Sequence, residues 1–188
     1  MATTTTMSGA AFDQLPYEEG RSLELLRGEV IEVPSPTPRH QRIAGTLFSS
    51  LDGYLDREPI GEVLLESEFA LGEDDRLRPD IAILLGKHWD SIDLDKSPIP
   101  MAPDIAVEVI SPSERADNSQ RKVDTYLAAG TKEVWQFWPS RQKLLVYRGL
   151  KTITPLDIED TLETPLLPGW EISVRRAFSV RRERRGRS

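Results

Sequence analysis

A mixed α/β fold, with a central mixed β-sheet flanked by helices, is what the sequence predicts, and three observations predict it. Short apolar runs rich in β-branched residues recur at "RPDIAILLG", "DIAVEVI", "KEVWQFWP" and "KLLVYR". Stretches of helical periodicity interrupt them, through residues 37–55 and 118–129. Glycine and proline punctuation leaves the order helix, strand, strand, strand, helix, strand, which puts helices on both faces of a sheet. A chain of 188 residues suits one such domain.

The elements follow in order. Residues 1–12, rich in threonine and small side chains, are expected to form a disordered lead before a single domain over 13–174. "PYEEGRSLELLRGEVIEVPS" predicts a short helix and a strand, with Gly28 at the turn. In the helix that follows, Thr37 suits the cap and Pro38 the first position. Ile43, Leu47, Phe48, Leu51, Tyr54 and Leu55 share its apolar face, and Pro59 and Gly61 stop it. "GEVLLESEFAL" predicts one strand, and "RPDIAILLG" a strand covered on both sides. After "DIAVEVI", Asp117 or Asn118 is the expected cap of a helix that Gly130 ends. Two further strands follow, then loop with short strand pieces.

Composition narrows the function classes. With no cysteine there is no disulfide, no thiolate catalysis and no zinc–thiolate site. No apolar run reaches the roughly 20 residues of a membrane helix, and "MATTTTMSGA" lacks a secretory pattern, so a cytoplasmic location is expected. The net charge of −7 is uneven: residues 175–188 hold seven arginines and one glutamate, +6, which leaves −13 on the rest. An acidic body argues against passive nucleic-acid binding over the whole surface. The basic C-terminal tail is either a solvated segment or a holder of phosphates.

Glu108 stands out, because a carboxylate inside an apolar strand costs several kcal/mol unless something pairs with it or binds to it. Two Pro-Asp pairs precede apolar strands, Pro79-Asp80 and Pro103-Asp104. Asp104 shares the strand of Glu108 at a separation of ~13 Å, too far for one ion to bridge. Asp80 opens a different strand, and if the two strands are neighbours its carboxylate converges on Glu108. Two such carboxylates attract Mg²⁺ or Mn²⁺, and a lysine such as Lys122, with Tyr126 one turn later, suits charge building on a phosphate. The alternative is that Glu108 pairs with Arg115 or Arg121 and only supports the fold.

These residues resemble the PD-(D/E)XK nuclease superfamily and, within it, the Uma-two family of restriction-endonuclease-like proteins. The matching runs are "RGEVIEVPSPTPRHQRI", "RPDIAILL", "PDIAVEVISPSERADN", "RKVDTYLAAGTKEVWQF" and "KLLVYR", in family order over most of residues 20–150. The resemblance implies a restriction-endonuclease-like core and Mg²⁺-dependent phosphodiester hydrolysis. It implies Asp80 and Glu108 as metal ligands with the backbone carbonyl of Val109 as a third. The superfamily's usual lysine, two residues after the glutamate, is replaced here by Ile110, and Lys122 matches the position to which this branch moves it. Trp138 stands where relatives commonly carry aspartate. An accessory polar group is implied near the first long helix, for which Glu29 and His40 are the candidates.

The expected function is therefore a Mg²⁺-dependent endonuclease acting on nucleic acid, with DNA the expected polymer, and a homodimer where both strands are cut. The alternatives are an inactive nuclease-fold module that binds nucleic acid or protein, and a hydrolase of small phosphate esters. Base stacking is not expected of Trp89, Trp135, Trp138 or Trp170, which are not interleaved with basic residues.

Overall fold

The computed structural model of the protein describes residues 6–16, 18–112 and 114–179. A short helix α1 (Gly9–Phe12) precedes a hairpin of β1 (Ser22–Leu26) and β2 (Glu29–Val33), and the long helix α2 (Pro38–Leu55) follows. Next come β3 (Gly61–Leu65), β4 (Phe69–Ala70), β5 (Arg76–Leu77), β6 (Ile81–Leu85) and a short helix α3 (Lys87–Ser91). Then come β7 (Ile105–Val109), α4 (Ala116–Ala128), β8 (Glu133–Trp138) and β9 (Lys143–Arg148). The described chain ends with β10 (Ile153–Leu156), β11 (Thr161–Glu163), β12 (Glu171–Ser173) and α5 (Val174–Phe178).

The mixed sheet expected from the sequence is present, with six strands in the order β10-β9-β8-β7-β6-β3. Only β7 and β8 run parallel, joined through α4, as a parallel pair requires a crossover connection. Because side chains alternate across a strand, β7 faces two layers. Ile105, Val107 and Val109 pack with α2 and α5, in a core that also holds the stacked rings of Trp135 and Trp170 at 5.5 Å. Ala106 faces α4 and the β1 side, among Val123, Tyr126 and Leu26. Glu108 falls on this second face. A smaller sheet, β2-β1-β5-β4, lies on that side and brings β1 against α4.

Helix α2 forms as its sequence predicts: Thr37 accepts from the His40 N–H, Pro38 opens it, and Leu47 and Leu51 are fully buried. Four expectations are corrected. Residues 22–33 form a hairpin in place of the expected helix and strand, because Arg27 and Gly28 take left-handed φ values of 54° and 75° and reverse the chain. Within the lead, residues 6–12 are ordered: Ser8 caps α1, Phe12 is buried and Arg76 clasps Asp13 through two bonds. "GEVLLESEFAL" splits into β3 and β4 at Glu66, whose φ of 45° leaves the extended region. Helix α4 starts one turn early at an Arg115 cap, which puts Asp117 in the first turn, where the helix dipole favours it.

The C-terminal boundary also moves. Arg175 and Arg176 belong to α5, which Ala177 and Phe178 anchor in the main core, with Phe178 edge-on to Phe137 at 5.6 Å. The remaining tail arginines, Arg181, Arg182, Arg184, Arg185 and Arg187, lie outside the described residues, as do residues 1–5 and Ser113. Among the described residues no helix is long and apolar enough to cross a membrane.

Candidate active site

Strands β6 and β7 pair antiparallel, with Ile81 across from Val107. Continued one step, that register sets Asp80 across from Glu108 on the same face of the sheet. There the Asp80 side chain takes over from the ladder: its Oδ2 accepts the Val109 N–H at 2.6 Å and lies 3.2 Å from His40 Nε2. One carboxylate oxygen is thereby held by a strand and by the first turn of α2.

Glu108 is 6% exposed. Its Oε1 accepts the Tyr126 hydroxyl at 2.9 Å, and its Oε2 lies 3.6 Å from Lys122 Nζ. Lys122 and Tyr126 reach the same carboxylate because residues four apart share a helix face. The Lys122 ammonium makes a closer pair with Glu24 on β1, at 2.7 Å, and the other Glu24 oxygen accepts the Arg78 N–H at 2.9 Å. Glu108, Lys122, Tyr126 and Glu24 therefore form one buried constellation, drawn from β7, α4 and β1, with the partly exposed Asp80, just before β6, beside it.

Its electrostatics follow from burial and crowding. Burial pushes the Glu108 carboxyl well above the ordinary 4.5; Lys122 pulls it down, while Asp80, Glu24 and Glu114 push it further up. For Lys122 burial alone favours the neutral amine, but Glu108, Glu24 and Glu114 outweigh it and hold the ammonium above its ordinary value. Burial, then Glu108, drives the Tyr126 hydroxyl well above 10.0, so it stays a phenol and a donor. Burial disfavours the charged His40 ring, yet the Asp80 hydrogen bond and charge prevail and its pKa is raised. Glu114 is raised by burial, against Lys122 and a hydrogen bond from Ser119.

Among the described residues no three His, Asp or Glu side chains converge into a ready-made metal cage. Two opposed carboxylates do suit Mg²⁺, which keeps several waters and takes one or two protein carboxylates. A buried carboxyl pushed up by neighbouring negative charge is also the group that a cation relieves. The donor set fits such an ion.

Of the residues singled out in the sequence, Asp80, Glu108, Val109, Lys122 and His40 come together here. Glu29 does not: it pairs with Arg121 at 2.9 Å, at the far end of the hairpin and nearly half exposed. Arg121 is thus engaged elsewhere, and the side chains that meet Glu108 are Tyr126 and Lys122, not Arg115 or Arg121. The carboxylate that the hairpin contributes is Glu24, which sequence reasoning missed. Its signal was present, since "SLELL" sets a lone glutamate among apolar strand residues just as "IAVEV" does. Trp138 lies at the end of β8 and stacks with the Arg141 guanidinium at 5.6 Å.

A family model described as a putative restriction endonuclease matches residues 10–175. Among solved structures, the crystal structure of a putative nuclease from Anabaena variabilis is similar, with a TM-score of 0.80 and 23% sequence identity over 92% of this chain and 97% of that one. That likeness bears on the fold. No curated protein matches the chain.

Proposed function

The chain belongs to the Uma-two family of putative restriction endonucleases, and on that premise we propose that it is a metal-dependent endonuclease that hydrolyses phosphodiester bonds in DNA. The observation that supports this best is the opposition of Asp80 and Glu108 across β6 and β7, with Glu108 buried among further carboxylates. Asp80, Glu108 and the Val109 carbonyl would hold Mg²⁺ or Mn²⁺. A bound ion of this kind supplies a Lewis acid and lowers the pKa of its water.

The chain's own residues do the rest. The Val109 N–H and His40 fix the Asp80 carboxylate, so it is oriented before anything binds. Tyr126 donates to Glu108 Oε1 and so orients the carboxylate that would help hold the ion. Lys122, kept charged by Glu24, neutralises negative charge that builds on the phosphate as water adds to phosphorus and the P–O ester bond breaks. The proton released by the water ends on the leaving oxygen. Two copies of the chain, one centre for each strand, account for cutting a duplex.

The test is nicking of supercoiled plasmid by purified protein with Mg²⁺, Mn²⁺ or EDTA, beside Asp80→Ala. Nicking that needs the metal and disappears in the variant upholds the proposal. Equal inertness of both proteins across metals and substrates replaces it with a nuclease-fold binding module.

A further inference from the structure

The chain leaves the six-stranded sheet at one edge from both β7 and β8. These strands run parallel, with Val109 level with Phe137, and the Ile110 N–H donates to the Phe137 carbonyl at 2.8 Å. Just beyond them Ile110, Pro112 and Pro139 form one side of a cavity of about 410 Å³, and Pro38 in the first turn of α2 forms the other. The walls are thus mostly apolar. Prolines present no N–H, and the Thr37 oxygen beside them already accepts the His40 N–H. A cavity of about 150 Å³ takes a benzene ring, so this one has room for a pyrimidine or a purine. Arg39, exposed on the same turn of α2, sets a cation beside the apolar wall.

Two of the lining residues join this cavity to the candidate active site. His40 lines it and also meets Asp80 Oδ2 at 3.2 Å. Ile110 lines it and directly follows Val109, whose N–H is held by Asp80 and whose carbonyl is the candidate third ligand. A strand with its phosphate at Asp80 therefore has a nucleotide beside the cavity. Charge favours a short contact of this kind over a long one. The chain carries −7, so a backbone laid across its surface gains little from phosphate contacts, whereas an apolar cavity holds a base irrespective of charge. Bases outside the stack are held in just this way, between apolar or aromatic side chains. A stacked and paired base cannot enter, and flipping one out of a duplex costs about a few kcal/mol, least where it is already unpaired.

We propose that the cavity between the first turn of α2 and the ends of β7 and β8 receives one unpaired base next to the phosphate cut at Asp80 and Glu108, so that the preferred substrate is single-stranded DNA or a duplex with a displaced base. The proposal rests on the nuclease function above. The test uses the full chain, in Ca²⁺ and in EDTA, and follows the anisotropy of two fluorescein-labelled strands of about twelve nucleotides. One is oligothymidylate and the other is the same backbone with abasic sites throughout, so their charge is equal and only the bases differ. Wild-type protein should bind oligothymidylate about fivefold or more tighter than the abasic strand. Ser140→Trp, which fills the cavity from an exposed turn, should erase that preference and leave the slope of log K against log salt unchanged, because no phosphate contact is removed. Leu150→Trp, which puts the same ring on another exposed turn, should keep the preference. Equal binding of the two strands by wild-type protein, or a preference that survives in Ser140→Trp, overturns the proposal. A cavity that seats a second copy of the chain would instead give a dimer that Ser140→Trp dissociates, with the two strands bound alike, and that result overturns it too. If wild-type protein cleaves plasmid yet binds the strands equally, only this inference falls. If it neither binds nor cleaves nucleic acid, the nuclease function falls with it.

Discussion

The two ends of β7 carry buried carboxylates in opposite circumstances. Asp104, just before the strand, is 1% exposed and both its oxygens are engaged: Oδ2 accepts the Leu85 N–H at 2.7 Å and meets His88 at 3.0 Å, and Oδ1 pairs with Lys132 at 2.8 Å. Glu108, at the other end, is nearly as buried, yet its Oε2 lies 3.6 Å from an ammonium that is closer to another glutamate. Burial by itself does not mark a functional carboxylate. Asp104 fastens the β6–β7 end to α3 and to the start of β8. Glu108 has coordination to spare, inside a field that already disfavours its negative charge.

The sharpest break between the two ends is in catalysis. Asp80→Ala and Glu108→Ala should each lower metal-dependent plasmid cleavage by on the order of 10³-fold or more, since the ion's charge stabilisation is worth several kcal/mol. Initial rates on supercoiled plasmid measure it. Next comes Lys122→Met, which strips the shared cation from buried carboxylates. It should cost about 3 to 5 kcal/mol of stability in urea unfolding. Adding Glu24→Gln and Glu108→Gln should recover part of that loss, because the three groups are coupled.

Asp104→Asn should lower stability by about 2 kcal/mol through its broken ion pair and hydrogen bonds, while cleavage per folded molecule stays as in wild type. A smaller effect is visible in pH. Folding favours the protonated Glu108, whose pKa is raised above 4.5, so its contribution to the metal-free protein is fully present below 4.5 and is lost as pH rises through the folded value. The slope is at most about 1.4 kcal/mol per pH unit, and Glu108→Gln should abolish it in melts across pH 4 to 8. Mg²⁺ should then bind more tightly as pH rises and release a proton, which calorimetry in buffers of different ionisation enthalpy detects. The smallest effect belongs to Glu29→Gln, whose half-exposed pair with Arg121 is worth less than about 1 kcal/mol, with no change in cleavage.

What the sequence made legible was local. Thr37 and Pro38 placed the start of α2, the spacing of Lys122 and Tyr126 placed both on one face of α4, and the β-branched run around Glu108 marked a central strand. Each needs only a period or a cap. The β6–β7 pairing was inferred only as a condition, because strand adjacency depends on the whole sheet. Glu24 is the clearest loss. Its role arises when the hairpin packs on α4, a contact between residues 98 apart that no local period encodes. Helix α1 was missed for a related reason: Phe12 finds its core, and Asp13 its Arg76, only across long loops. Residues 175–178 looked like the start of a charged tail because Arg175 and Arg176 precede the two side chains that bury.

The most direct measurement compares Glu108→Gln with Asp104→Asn, following thermal unfolding and Mg²⁺-dependent cleavage per folded molecule in both. Glu108→Gln should lose cleavage and keep or raise its melting temperature, whereas Asp104→Asn should melt lower and cleave as wild type does. Should Glu108→Gln melt lower and still cleave at the wild-type rate, Glu108 would be another fastener like Asp104, and the candidate active site would not be the place of hydrolysis.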